Sequence, residues 1–201
     1  MSYRWQETMK ILIPGFYILI CVGLGCLLNY VQLVKEFFDL IGKLSAILII
    51  LMFFVSFVIG YINEIVSGAI EYILYKFKVP RPSRLVLNNT IERFRIIENT
   101  ELRLKLQIST NALIDNTLAA KSLAKAKQTT ETDKYQEFYY QSVLARNLFF
   151  GHSFSLVFLL IVLDWCWMFL ALGILVGILF LWQWWKMNLV YVKKIFVEYL
   201  K

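Results

Sequence analysis

Charge is scarce in this chain. Asp, Glu, Lys and Arg make up 17% of its 201 residues, against roughly 25% in soluble domains. With 59% hydrophobic residues and a mean hydropathy of +0.62, that shortage excludes an ordinary water-soluble fold. Cysteine is scarcer still. Cys21, Cys26 and Cys166 lie in or beside apolar runs, with no CxxC spacing and no Cys/His cluster. A disulfide framework and a zinc centre are therefore excluded, and packing is left as their role. Histidine occurs once, as His152, and no nucleophile–base–acid set assembles around it. The expectation is no enzyme, no cofactor and no metal. Walker A, GxGxxG and duplex nucleic-acid motifs are missing as well.

Long apolar runs are what the chain has in abundance. One runs from about Ile11 to Leu28, a second from Leu44 to Ile62, and a block from Leu148 to Trp185 is divided by Asp164. A helix needs about 17–25 apolar residues to cross a bilayer. The last block, at 1.5 Å per residue, is about twice the hydrocarbon thickness and reads as two spans, with Trp165 and Trp167 beside Asp164 suited to an interfacial turn. The first run has no A-x-A-like cleavage site and reads as a retained anchor. The expected fold is all-α: an integral membrane protein of four transmembrane helices in two hairpins, with a cytoplasmic helical module between them. The domain boundaries are 1–75, 76–147 and 148–201.

Basic residues set the expected orientation. Lys76 to Asn147 holds thirteen Lys and Arg against seven acids, a net +6 out of the chain's +7. The connection after the first span balances Lys35 and Lys43 with Glu36 and Asp39, and the Asp164 turn has no base. Both termini and the middle segment are thus expected in the cytoplasm. Within that segment Pro80 and Pro82 should end the helix leaving the second span. Apolar residues then recur at helical spacing, and "ELRLKLQI", although it alternates, is preferred as helix because a lone strand has no partner. Thr130 with Asp133 resembles a capping box, so one helix is expected from about Glu131 into the third span. "KMNLVYVKKIFVEYLK" should continue the fourth span as an amphipathic helix.

The polar residues near the spans are the candidate sites. After Gly60, residues Glu64, Ser67, Gly68, Glu71, Tyr75 and Lys78 share one helical stripe. That stripe is either an interfacial face in water or the lining of a pore or vestibule, where ionisable residues near a membrane tend to sit. His152 reads as a packing residue that links helices, with a pairing to Glu64 as the functional alternative. Ser56 with Gly60, and Gly173 with Gly177, have the small-xxx-small spacing of close helix packing. Arg81, Arg84, Arg93, Arg95, Arg103 and Lys105, followed by Lys121, Lys125 and Lys127, are candidates for anionic lipid or another anionic ligand; topology alone explains most of that charge.

The stretches "IPGFYILI", "FVIGYINEIVSGAIEYIL" and "ARNLFFGHSFSLVFLL", in this layout, resemble small four-span bacterial membrane effectors of anti-phage defence, the Hailong type among them. The resemblance covers the whole chain in architecture and carries over no functional residue. It implies an oligomeric channel in the bacterial inner membrane, opened or held shut by a cytoplasmic partner protein or nucleotide-derived anionic ligand. Four spans enclose a pore only by assembling, and "KYQEFYYQSVLARNL" is too apolar for a solitary solvated helix. The expected assembly is a homo-oligomer, with a tetramer as the favoured count. The rival reading is a non-conducting membrane scaffold or sensor that recruits a cytoplasmic partner.

Overall fold

A computed structural model of the chain describes residues 3–29, 45–77, 79–110, 112–162 and 167–201. The connection with Lys35, Glu36, Asp39 and Lys43, the stripe residue Lys78, and the turn with Asp164, Trp165 and Cys166 lie outside the described residues. Among the described residues every regular element is helical: α1 (Tyr3–Asn29), α2 (Ser45–Lys76), α3 (Pro82–Leu87), α4 (Asn99–Lys105), α5 (Asn116–Thr129), α6 (Gln136–Val162) and α7 (Trp167–Leu200), with 3-10 turns at Glu92–Phe94 and Thr132–Tyr135. Four stretches, Trp5–Cys26, Ile49–Lys76, Asp133–Val162 and Leu170–Leu200, are long and apolar enough to cross a membrane.

Local chemistry sets the helix ends. α2 stops at Lys76 ahead of Pro80, and Pro82 opens α3 at its first position, where a missing N–H costs nothing. "ELRLKLQI" is helical up to Lys105. It ends in a Schellman turn: Gln107 takes φ 62°, Gln107 N–H bonds the Leu104 carbonyl, and Ile108 N–H bonds that of Arg103. Asn89, at φ 49°, ends α3 in the same way. The capping box expected at Thr130 does not form. The Thr130 hydroxyl donates back to the Ala126 carbonyl and closes α5, and Asp133 accepts from the Gln136 side chain. A 3-10 turn therefore precedes α6, which starts at Gln136 rather than Glu131.

The chain divides into two compact units, Met1–Gly68 with Val143–Trp184, and Ala69–Ser142 with Trp185–Lys201. In the first unit α1 and α2 pack antiparallel: Ile11 lies opposite Gly60, and Gly15 opposite Ser56. α6 and α7 also pack antiparallel, with Leu156 against Gly173 and His152 against Gly177. A methyl group at Gly15 or Gly60 would overlap the carbonyl facing it, of Ser56 and Ile11 respectively, so the two backbones approach this closely only because both positions are glycine. Ile50, Phe54, Ile65 and Leu175 point outward and are more than half exposed.

The second unit has a conventional apolar core. Val86, Leu87, Leu102, Leu106, Ile114 and Ala119 meet Leu189, Val192, Ile195 and Phe196 of α7 there. The tail from Trp185 thus shares a core with the middle segment. Arg103, 8% exposed, crosses this unit and donates to the carbonyls of Thr110, Ala112 and Leu87 and to Asn88 Oδ1.

Candidate functional site

Asn63, Ser67 and Arg146 of the first unit converge on Asn147 of α6, which is fully buried. The reason begins in α1. Pro14 has no N–H, so the carbonyl of Lys10, four residues earlier, loses its intrahelical partner. Asn147 Nδ2 donates to that carbonyl at 3.1 Å. An unpaired carbonyl in apolar surroundings is unfavourable, and the Asn147 amide supplies the missing donor, at the modest net gain usual for hydrogen bonds between membrane helices. Asn147 Oδ1 accepts from Ser67 Oγ at 2.7 Å and from Arg146, and the Asn147 carbonyl accepts from Asn63 Nδ2 at 2.8 Å.

This node tells which way the α2 stripe faces. Ser56, Gly60, Asn63 and Ser67 are buried among α1 and α6, while Ile62 and Ile65 point away from the unit. Glu64 forms an ion pair with Lys10 at 3.0 Å, both side chains being about one-fifth exposed. Gly68 leaves room for the Arg146 guanidinium, which lies in van der Waals contact with the place a Cβ would occupy. The part of the stripe from Gly60 to Gly68 thus faces neighbouring helices of its own chain. In the second unit the Glu71 carboxylate accepts from the Tyr75 hydroxyl.

His152 and Glu64 do not pair. His152 Nε2 lies 2.7 Å from the Gly173 carbonyl, which only accepts, so in the neutral ring Nε2 carries the proton and Nδ1 accepts from the Tyr17 hydroxyl. The imidazole ties α1 and α7 to α6. Gly177 leaves space for its ring, and Gly173 packs on Leu156.

The six basic candidates separate. Arg81 and Arg84 line one open cavity, with Lys76 and Lys121. Arg93 and Arg95 are exposed. Lys105 donates to the Leu200 carbonyl and stands over the Tyr199 ring, at the C-terminal end of α7, where a cation suits the helix dipole. Arg103 is buried and holds the second unit together, as described above. Lys127, in the same basic segment, is partly buried over the rings of Tyr191 and Tyr139, and burial holds its ammonium pKa below the usual 10.5.

Sequence reading missed Asn63 and the Lys10–Glu64 pair. For Asn147, the residue that joins them, the available signal was the proline: a Pro four residues after Lys10, in an apolar run, announces a carbonyl that needs a donor from another helix. A scan against protein-family models, a search of curated proteins and a search of solved structures each find no match to this chain.

Proposed function

We propose that the chain is the subunit of a symmetric homo-oligomeric ion channel in a bacterial inner membrane. It would act as an effector of anti-phage defence that collapses the membrane potential when a cytoplasmic signal reaches residues 76–147. Its four long helices would form two transmembrane hairpins, with both termini and the polar segment in the cytoplasm. The observation that carries this reading is the Lys10–Glu64 ion pair, set beside Asn63, Ser67, Arg146 and Asn147 in helices of membrane-spanning character. Ionisable groups at such places are costly and mark ion pathways or gates. The pairing refines the role of Glu64: Lys10 neutralises it in this arrangement, and a rearrangement that separates the two would release a carboxylate to favour cations.

The test is induced expression with a potential-sensitive dye, followed by reversal potentials in planar bilayers. Depolarisation is expected once partner and phage trigger are supplied; an unchanged potential under those conditions overturns the proposal. Lys10→Met, which frees Glu64, should increase cation preference, and Lys10→Met combined with Glu64→Gln should abolish that gain. The neutralised carboxylate also favours a second reading, a non-conducting membrane scaffold or sensor that recruits a cytoplasmic partner. That reading predicts unchanged potential in wild type and both variants.

A further inference from the structure

We propose that the cavity bounded by the end of α2, by α3 and by the start of α5 is a binding site for a phosphate group. The cavity measures about 600 Å³, within the range of about 300–1,000 Å³ typical of small-molecule sites. Lys76, Arg81, Arg84 and Lys121 line it, against a single carboxylate, Asp115. Among the described residues none of the four cations is in an ion pair. Like charges gathered around a concave space repel one another and raise the local positive potential, and a bound anion relieves that repulsion.

The framework around the cations is built to hold them. Asn116 Oδ1 accepts from Arg81 N–H at 3.0 Å, and Asn116 Nδ2 donates to the carbonyls of Tyr75 and Val79. One amide therefore fixes the loop that carries Arg81 and satisfies two acceptors that would otherwise repel an anion. The Arg81 guanidinium stacks over the Tyr75 ring, 4.9 Å from its centroid, which orients its N–H fork. The Asp115 carboxylate accepts from Leu118 N–H at 2.7 Å and caps α5, so this one acid is committed to the helix start. Tyr72 and Tyr75 supply apolar wall beside the cations, room for the organic part of a phosphate compound.

Phosphate could come from a free phosphorylated molecule or from a phospholipid headgroup, and two probes separate these sources. The full-length protein in phosphatidylcholine nanodiscs is titrated with inorganic pyrophosphate by calorimetry. In parallel, native mass spectrometry counts phosphatidylglycerol retained from mixed phosphatidylcholine–phosphatidylglycerol nanodiscs. Binding of at least one probe is expected, and which one binds identifies the source. The double variant Arg84→Gln/Lys121→Gln should weaken that binding about tenfold or more, since each charge-assisted contact is worth about 1.5–3 kcal/mol, or tenfold and upward. Arg93→Gln/Arg95→Gln removes equal charge outside the cavity and should change it less than about twofold. Failure of both probes to bind, or an equal loss in the two double variants, overturns the site. Neither readout depends on conductance, so the site and the channel stand or fall separately.

Discussion

In the unit formed by Met1–Gly68 and Val143–Trp184, the buried side chains include Ser56, Asn63, Ser67, Asn147 and His152, while Ile50 is 71% and Phe54 65% exposed. In the unit formed by Ala69–Ser142 and Trp185–Lys201, Leu87, Leu102, Ile114, Ile195 and Phe196 have no exposure. The first region buries a polar network beside Phe150, Leu160 and Trp184 and leaves large apolar side chains exposed, whereas the second encloses an apolar core around Arg103, within one covalent chain. The difference is the one that two solvents would produce. Against lipid, apolar surface gains nothing from burial, and helices associate through close glycine contacts and hydrogen bonds. Against water, burial of apolar surface is the main driving force.

The largest expected effect tests this contrast directly. Phe196→Ala should destabilise the second unit by about 3–5 kcal/mol, through lost burial and a cavity, read as lost amide protection in residues 116–129 by hydrogen exchange. Phe54→Ala, of the same chemistry on the exposed face of the first unit, should change protection of α2 by less than about 0.5 kcal/mol. Equal losses at the two sites would break the comparison.

A smaller difference is expected between the two buried polar nodes. Arg103→Met takes the side-chain donor from the Thr110 and Ala112 carbonyls, while the Leu87 carbonyl keeps Asn99 Nδ2 and Asn88 Oδ1 keeps Ile114 N–H, and should cost the second unit about 2–3 kcal/mol. Asn147→Leu should cost the first unit only about 1–2 kcal/mol, because hydrogen bonds between membrane helices are individually weak. Thermal unfolding in one detergent compares the two; a larger loss at Asn147 would mean that its network is the tighter of the two.

The smallest effect is a pH dependence confined to the second unit. Lys127 has a lower pKa in the folded chain than in the unfolded one. Between those two values the unfolded chain binds more protons, so stability rises with pH over a window that closes near 10.5. Between pH 8 and pH 10 the melting temperature of wild type should therefore rise relative to that of Lys127→Met. A constant difference would show that the stacking of the ammonium on Tyr191 and Tyr139 offsets its burial.

Much of the fold was legible because its signals are local. Run length announced four helices able to span a membrane, Pro80 and Pro82 marked the break after α2, and an isolated alternating stretch had no strand to pair with. The capping-box reading of Thr130 failed because a threonine hydroxyl at a helix junction serves either neighbour, and the end of α5 claimed it. The basic segment was legible as a charge excess only. That Arg103 is a buried tie, Lys105 the cap of a distant helix end, and Arg81 and Arg84 neighbours of Lys76 and Lys121 depends on contacts up to 95 residues apart.

By itself the sequence determined class and helix periods, because apolar run length and spacing are properties of the chain in one dimension. It placed Gly60, Glu64, Ser67 and Gly68 on one face of α2, since a 3.6-residue repeat leaves no other arrangement. Only the tertiary structure decided what that face meets. Pro14 leaves a carbonyl of α1 without a donor, Asn147 of α6 supplies one, and Lys10 reaches Glu64. The stripe therefore turns toward its own bundle, because a bond to another helix satisfies polar groups that lipid cannot.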